Sequence, residues 1–275
     1  MPETAPPATV SQLLSRATGR LADAGCDTPR LDTELLLAEV LGVTRTGLYL
    51  AAPGTGLDDA QSGAFEALIA RRVEREPVAY ILGHREFRRI SLAVDRRVLI
   101  PRPETELLVE VGLSLDRGAR VVDVGTGSGA VALALKDERP DLDVSATDIS
   151  ADALAVARAN AARLGLEVRF AEGELACGGV HDAVLANLPY VEPGSELAPE
   201  IARYEPAPAI WGGGTDGLDV VRRLVRTLAG TQLVGLEIGA GQAGAVAELL
   251  GAAGFRSVQR LSDLAGHERV LVGRR

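Results

Sequence analysis

Asn187-Leu188-Pro189-Tyr190 follows directly on the apolar run Asp182–Ala186 and comes closest of any segment to a chemical device. The amide oxygen of Asn187 and the backbone carbonyl of Leu188 can accept two N–H bonds from one planar NH2 group, and Tyr190 offers it a flat face. Two such acceptors hold an amide or amine nitrogen with its lone pair aimed at an electrophile, a task of proximity and electrostatics. An isolated N-x-P-Y string is usually a plain turn. Two further segments change that reading. Asp123-Val124-Gly125-Thr126-Gly127-Ser128-Gly129 sets glycines between a strand candidate and a helix opening at Ala130. There the backbone can approach a ligand closely and a helix N-terminus supplies free N–H groups. Asp148 ends the next strand candidate 23 residues after Gly125, where a carboxylate can accept bonds from both ribose hydroxyls. A nucleoside beside a held NH2 group is the expectation. With Ala130 in sixth place the run also satisfies G-x-G-x-x-A, the dinucleotide fingerprint, so the chemistry is still open.

Other glycine runs carry less. Gly239, Gly241 and Gly244 also spell G-x-G-x-x-G after a strand candidate, but no acid follows at ribose distance on a clear strand end. That run is read as a structural turn. Gly212-Gly213-Gly214, after Trp211, is read as a flexible loop near the site mouth.

The elements that must position these residues come from periodicity. Val10, Leu13, Leu14, Ala17 and Leu21 recur at helical spacing and Gly25 stops them. A second helix opens with Thr28 as cap and Pro29 in its first turn, carries Leu31, Leu35, Val40 and Leu41, and halts near Gly42. A third runs from about Asp58 to Arg75 with Phe65, Leu68, Ile69 and Val73 inside. Together they make a small helical domain suited to recognition. Ile90, Leu92 and Val94 then alternate, Asp95-Arg96-Arg97 turns, and Val98-Leu99-Ile100 returns, a hairpin pattern read as the hinge between domains. Beyond residue 119 seven strand candidates alternate with helices: Arg120–Val124, Asp143–Thr147, Glu167–Ala171, Asp182–Ala186, Gln232–Ile238, Ser257–Leu261 and Arg269–Val272. The alternation implies βαβ units and a parallel sheet, with the last two strands antiparallel at one edge.

Composition sets limits. The chain has 275 residues, 47% hydrophobic and 24% charged, with formal charge −9. It can bury a sizeable core. A general nucleic-acid binder would be more basic, because phosphate neutralisation supplies most of that affinity. Within 71–97 eight arginines (71, 72, 75, 85, 88, 89, 96, 97) outnumber four acids; this strip reads as a solvated face, or as a dock for an acidic or RNA-associated partner. Cys26 and Cys177 lie far apart and suit a reduced compartment, and the three histidines show no metal-ligand spacing. The opening MPETAPPATV lacks a signal-peptide core, and no stretch approaches the ~18 apolar residues of a membrane span. A soluble cytoplasmic protein with no metal and no membrane is expected.

At this point the sequence resembles the S-adenosylmethionine-dependent methyltransferases, and specifically the HemK/PrmC family of release-factor glutamine methyltransferases. The resemblance covers nearly the whole chain. It rests on Tyr80-Ile81-Leu82-Gly83 with Glu86-Phe87, Ile100-Pro101-Arg102-Pro103-Glu104-Thr105-Glu106, Asp123–Gly129, Asn187–Tyr190, Glu237-Ile238-Gly239, and Asp263-Leu264-Ala265-Gly266-His267-Glu268-Arg269. It implies an α/β fold: a Rossmann-like, seven-stranded class I methyltransferase domain (101–275) behind a helical substrate-recognition domain (1–84) and a β-hairpin linker (85–100). It also implies methyl transfer from S-adenosyl-L-methionine, leaving S-adenosyl-L-homocysteine, to the side-chain amide nitrogen (N5) of the glutamine in the Gly-Gly-Gln loop of class I peptide chain release factors. By the same resemblance Gly125, Thr126, Gly127, Ser128 and Gly129 cradle the methionine part of the cofactor and Asp148 holds its ribose. Asn187 meets both cofactor and substrate. Asn187, Leu188, Pro189 and Tyr190 grip the glutamine amide, with Asn187, Pro189 and Tyr190 as the catalytic set.

Two departures stand out. Leu188 replaces the first proline of the family's Asn-Pro-Pro-Tyr; the carbonyl survives, and the loop loses some rigidity. Asn-Leu-Pro-Tyr is also similar to the ribosomal-RNA adenine dimethylases. In place of the family's Asp-aromatic pair against adenine stands Gly173-Glu174-Leu175, so Glu174 and Leu175 are the adenine-side candidates. The alternatives are an adenine-N6 methyltransferase on RNA or DNA, a nicotinamide-dependent oxidoreductase that leaves Asn187–Tyr190 unexplained, and a non-catalytic binding module. Direct nucleic-acid binding is not expected at −9.

Overall fold

Runs such as Val121-Val122-Asp123-Val124 and Ala183-Val184-Leu185-Ala186 are buried at every residue, as strands covered on both faces must be. The computed structural model describes residues 9–50, 56–175 and 181–275; residues 1–8 of the opening segment and Cys177 lie outside the described residues. The helices α1 (Val10–Asp23), α2 (Pro29–Leu41), α3 (Arg45–Leu50), α4 (Asp59–Val73) and α5 (Val78–Leu82) come first, followed by strands β1 (His84–Phe87) and β2 (Ile90–Ala93). Then follow α6 (Glu106–Leu113), β3 (Arg120–Val124), α7 (Ala130–Glu138), β4 (Asp143–Asp148), α8 (Ala151–Leu164), β5 (Arg169–Glu172) and β6 (Ala183–Ala186). The chain closes with α9 (Pro199–Tyr204), α10 (Asp219–Val225), β7 (Leu233–Glu237), α11 (Ala243–Ala252), β8 (Ser257–Ser262) and β9 (Glu268–Arg274). No described helix is long and apolar enough to cross a membrane.

The chain forms two compact units, Met1–Gly83 with Ala198–Tyr204, and His84–Leu197 with Glu205–Arg275. In the helical unit Thr9 and Asp58 each close a capping box, on Gln12 and Gln61. Its core gathers Leu14, Ala17, Leu21, Leu36, Leu37, Phe65 and Ile69. The face expected of α2 is corrected: Leu31 is exposed, and Asp32, Leu36 and Leu37 point inward. The reason is a buried ion pair, Arg72 Nε to Asp32 Oδ2 at 2.7 Å, which draws Asp32 inside. Thr28 does not cap with its side chain; its hydroxyl donates to Asp32 Oδ1. Arg72 and Arg75 also bind Glu200, at 2.8 and 2.6 Å, which ties α9 into this unit.

In the larger unit a seven-stranded sheet runs β5-β4-β3-β6-β7-β9-β8, with β9 antiparallel to both β7 and β8. The hairpin differs from expectation. β1 pairs β2 with Phe87 opposite Ile90, so the turn is Arg88-Arg89, where Arg88 takes φ 52°, and Val98–Ile100 makes no returning strand. Arg88 is held there by Glu138 and Glu110, and its N–H donates to Glu106. Much of the arginine strip is spent on such internal pairs, including Arg71 with Glu76 and Arg97 with Asp95. It is therefore not a row of free cations.

Candidate functional site

The sheet turns back on itself between β3 and β6: the chain lays β4 and β5 on one side of β3, then returns to place β6 and β7 on the other. Ligands of open α/β sheets bind at such a switch point, beyond the carboxyl ends of the strands. The registers decide which residues meet there. Val124 lies opposite Thr147 and Ala186, and Ala186 opposite Leu236. One residue further along each strand therefore stand Asp148, Gly125, Asn187 and Glu237, in a row across four strand ends. At ~4.8 Å per strand, Asp148 and Asn187 are separated by roughly 10 Å.

The glycine loop is anchored at both ends. Gly125 N and Thr126 N donate to the Thr147 carbonyl, each at 2.9 Å, and Gly127 N donates to Asp148 Oδ2 at 2.9 Å. Asp123, buried at the end of β3, accepts from the Thr126 hydroxyl at 2.6 Å and from Ala132 N at 3.1 Å. Burial pushes its carboxyl up to about 6. Gly127 and Gly129 take φ 56° and 87°, a left-handed backbone that side chains rarely adopt, and no atom lies within 4 Å of where a Gly127 Cβ would stand. An open cradle lined by backbone fits the methionine end of an aminoacyl nucleoside. Below it, buried Asn160 donates to the carbonyls of Ser128 and Ala93 and accepts from Ala93 N, pinning the loop to the hairpin strand β2.

Asp148 accepts from Gly127 N on one oxygen and Ser150 N on the other, which leaves lone pairs on both for a diol. Beside it Ile149 is 66% exposed, a large apolar side chain open to solvent at the ligand edge. Sequence reasoning did not single it out, although an apolar residue after the ribose acid is a readable signal. Of the two adenine-side candidates, Glu174 pairs with Arg223, and Leu175 sits at φ 66° with its carbonyl accepting from the Thr147 hydroxyl.

At the other end of the row, Asn187 Nδ2 donates to Thr105 Oγ1 at 3.0 Å. Its Oδ1 is thereby turned away, and among the described residues nothing takes up that oxygen or the Leu188 carbonyl. The Leu188 side chain is buried in the core shared with Val124, Ala186 and Ile238 and lies against Gly125. Packing there substitutes for the stiffness of a proline. Tyr190 donates to Glu237 Oε1 at 3.3 Å, and burial with the nearby Glu237 charge raises its phenol well above the ordinary tyrosine range.

Gln242, also missed, clamps the loop. Its Nε2 donates to the carbonyls of Tyr190 (2.9 Å) and Asp216 (2.8 Å), and its Oε1 accepts from Gly239 N (2.8 Å). The Gly212–Gly214 run, expected to be flexible, is tightly packed at Gly212: a Cβ there would fall 1.8 Å from the Gly217 carbonyl oxygen and 2.7 Å from that of Pro189. Gly239, read as part of a structural turn, is held by Gln242 and lies against the Tyr190 ring, 3.1 Å from where its Cβ would stand.

The PrmC N-terminal domain family matches residues 12–83, and the methyltransferase small domain family matches residues 103–203. Among curated proteins, the release factor glutamine methyltransferase of Rhodospirillum rubrum is 43% identical, over 97% of this chain and 85% of its own length. Those of Deinococcus radiodurans (40%; 96% and 97%) and Bordetella pertussis (42%; 92% and 97%) are similar along their whole length. Among solved structures, the human METTL16 catalytic domain in complex with the MAT2A 3′UTR hairpin 6 aligns with a TM-score of 0.57 at 15% identity, over 75% of this chain and 81% of that one. A methyltransferase from Pyrococcus furiosus aligns at 0.52 and 17%, over 66% and 87%. These two share the fold. The relatives near 40% identity extend along nearly all of the sequence. The chain belongs to the release factor glutamine methyltransferase family.

Proposed function

We propose that the protein transfers a methyl group from S-adenosyl-L-methionine to the side-chain N5 of the glutamine in the Gly-Gly-Gln loop of class I peptide chain release factors, with S-adenosyl-L-homocysteine as the other product. The observation that carries this is the Asn187 amide. Its NH2 is tied to Thr105, which leaves Oδ1, like the Leu188 carbonyl, an acceptor without a partner among the described residues. They sit in the same row as the glycine cradle and Asp148.

When bound, S-adenosyl-L-methionine supplies an electrophilic methyl on a sulfonium. Gly125, Thr126, Gly127, Ser128 and Gly129 hold its amino-acid end and Asp148 its ribose; Ile149, Glu174 and Leu175 form the adenine side. Asn187 Oδ1 and the Leu188 carbonyl take both N–H bonds of the substrate amide, which fixes the nitrogen and aims it across the row. An amide nitrogen is a poor nucleophile, so this alignment is the larger part of the catalytic task. Pro189 stiffens the loop, and the Tyr190 ring packs on the flat amide. The Tyr190 phenol, raised by burial, stays neutral and does not act as a base. No strong base is needed: the nitrogen becomes acidic as it gains the methyl group and the S–CH3 bond breaks, and its proton then passes to solvent water.

An adenine amino group has the same planar NH2, but the net charge of −9 and the glutamine-directed relatives favour the protein substrate. The test is labelled methyl transfer to a purified class I release factor beside its Gln→Ala variant. Label on the first alone is expected; equal label on both overturns the assignment.

A further inference from the structure

Glu237 is a carboxylate buried beside the Asn187 loop for which the steps above have no use. It ends β7, level with Asn187 in the strand register, and is 2% exposed. Oε1 accepts from the Tyr190 phenol at 3.3 Å; Oε2 is buried with no hydrogen-bond partner among the described residues. Burial pushes the carboxyl up to about 7, and Glu104 adds to this, while the Thr105 and Tyr190 hydroxyls and Arg269 draw it down. A buried carboxylate with one oxygen left unpaired is costly. Something must be gained by keeping it.

The gain is direction. An ionised carboxylate only accepts hydrogen bonds, and a threonine hydroxyl has one hydrogen to give. If Thr105 turns that hydrogen to Glu237, only its lone pairs face Asn187, and they can meet only the NH2 end of the amide. That is the arrangement present, with Nδ2 on Thr105 Oγ1. We propose that Glu237 is a positioning residue that orients the hydrogen-bond chain from Asn187 through Thr105, so that the Asn187 oxygen and not its NH2 faces the substrate amide. This rests on the reading that the reacting group is a planar NH2. A protonated Glu237 can donate to Thr105, which lets the chain reverse and the Asn187 amide flip, setting N–H against N–H at the substrate.

Glu237→Gln keeps the shape but supplies a donor as well as an acceptor. It should lower kcat at least ~10-fold, because a polar pair at the site is then mismatched in part of the molecules. Calorimetric affinity for S-adenosyl-L-methionine should be unchanged, and the acid limb of the wild-type kcat profile near pH 7 should be absent from the variant. Thr105→Val should lose kcat similarly, with Thr105→Ser recovering most of it, and the Glu237→Gln/Thr105→Val double variant should be no worse than the poorer single one. Wild-type kcat in Glu237→Gln, strictly additive losses, or a fall explained by lost cofactor affinity each overturns the proposal while leaving glutamine methylation standing. If the wild-type protein itself transfers no methyl to glutamine, the underlying reading fails first and the proposal with it.

Discussion

The backbone N–H of Gly127 donates to Asp148 Oδ2 at 2.9 Å, so the glycine loop and the Asp148 carboxylate are one unit built across two strand ends. Asp148 therefore shapes the glycine loop, and in the proposed function it also accepts from the ribose diol. Asp148→Ala should weaken S-adenosyl-L-methionine binding at least ~10-fold, the loss of hydrogen bonds to a charged acceptor. Calorimetry checks this, and unchanged affinity would refute the ribose role.

Gln242 holds three partners at once: the Tyr190 and Asp216 carbonyls and Gly239 N. Gln242→Ala orphans buried backbone groups, at a cost on the order of 1–3 kcal/mol. A lower thermal midpoint together with a lower kcat is expected, with cofactor affinity retained because Gln242 does not touch the cradle. An unaltered kcat would show that the clamp does not position the Asn187 loop.

Gly212 admits no side chain, since a Cβ would lie 1.8 Å from the Gly217 carbonyl oxygen. Gly212→Ala should force the loop off the Pro189 carbonyl and destabilise the protein by about 2 kcal/mol or more. A variant with the wild-type denaturation midpoint would contradict the packing described.

Burial pushes Asp123 up to about 6 and Glu237 up to about 7. Both carboxyls bind protons more tightly folded than unfolded, where values near ~4 apply. The stability from this source is fully present below pH ~4 and is lost as pH rises through 6 and 7. Glu237→Gln should therefore raise the thermal midpoint at pH 8, by at most about 3 kcal/mol of stability, and change it little at pH 5. A variant that is more stable yet slower is what a positioning role implies. An equal drop in midpoint at both pH values would contradict it.

What could be read along the chain was whatever is local. The glycine run, Asp148 and Asn187–Tyr190 each sit within a few residues of a strand end, and the central strands β3, β6 and β7 announce themselves as apolar runs. Residues whose role comes from register stayed hidden. Glu237 and Gln242 come to the Asn187 loop because β7 lies beside β6, which no spacing encodes; Thr105 and Glu237 stood out only as members of family-like motifs, without a role. In α2, helical periodicity favoured Leu31 and Leu35 because it could not see that Arg72, forty residues on, would draw Asp32 inside. The hairpin turn moved from Asp95–Arg97 to Arg88-Arg89 for a similar reason: Glu106, Glu110 and Glu138 hold Arg88 in a conformation its own sequence does not favour. Short α3 and α5 were missed because five or six residues carry too little period to read.

The most direct test of the account is peptide mass spectrometry of a class I release factor after incubation with S-adenosyl-L-methionine and either the wild-type protein or Asn187→Ala. One added methyl on the Gly-Gly-Gln glutamine is expected with wild type, and a rate at least ~10²-fold lower with the variant, as for loss of an oriented polar group. A methyl group on any other residue, or equal rates from the two proteins, would contradict the account.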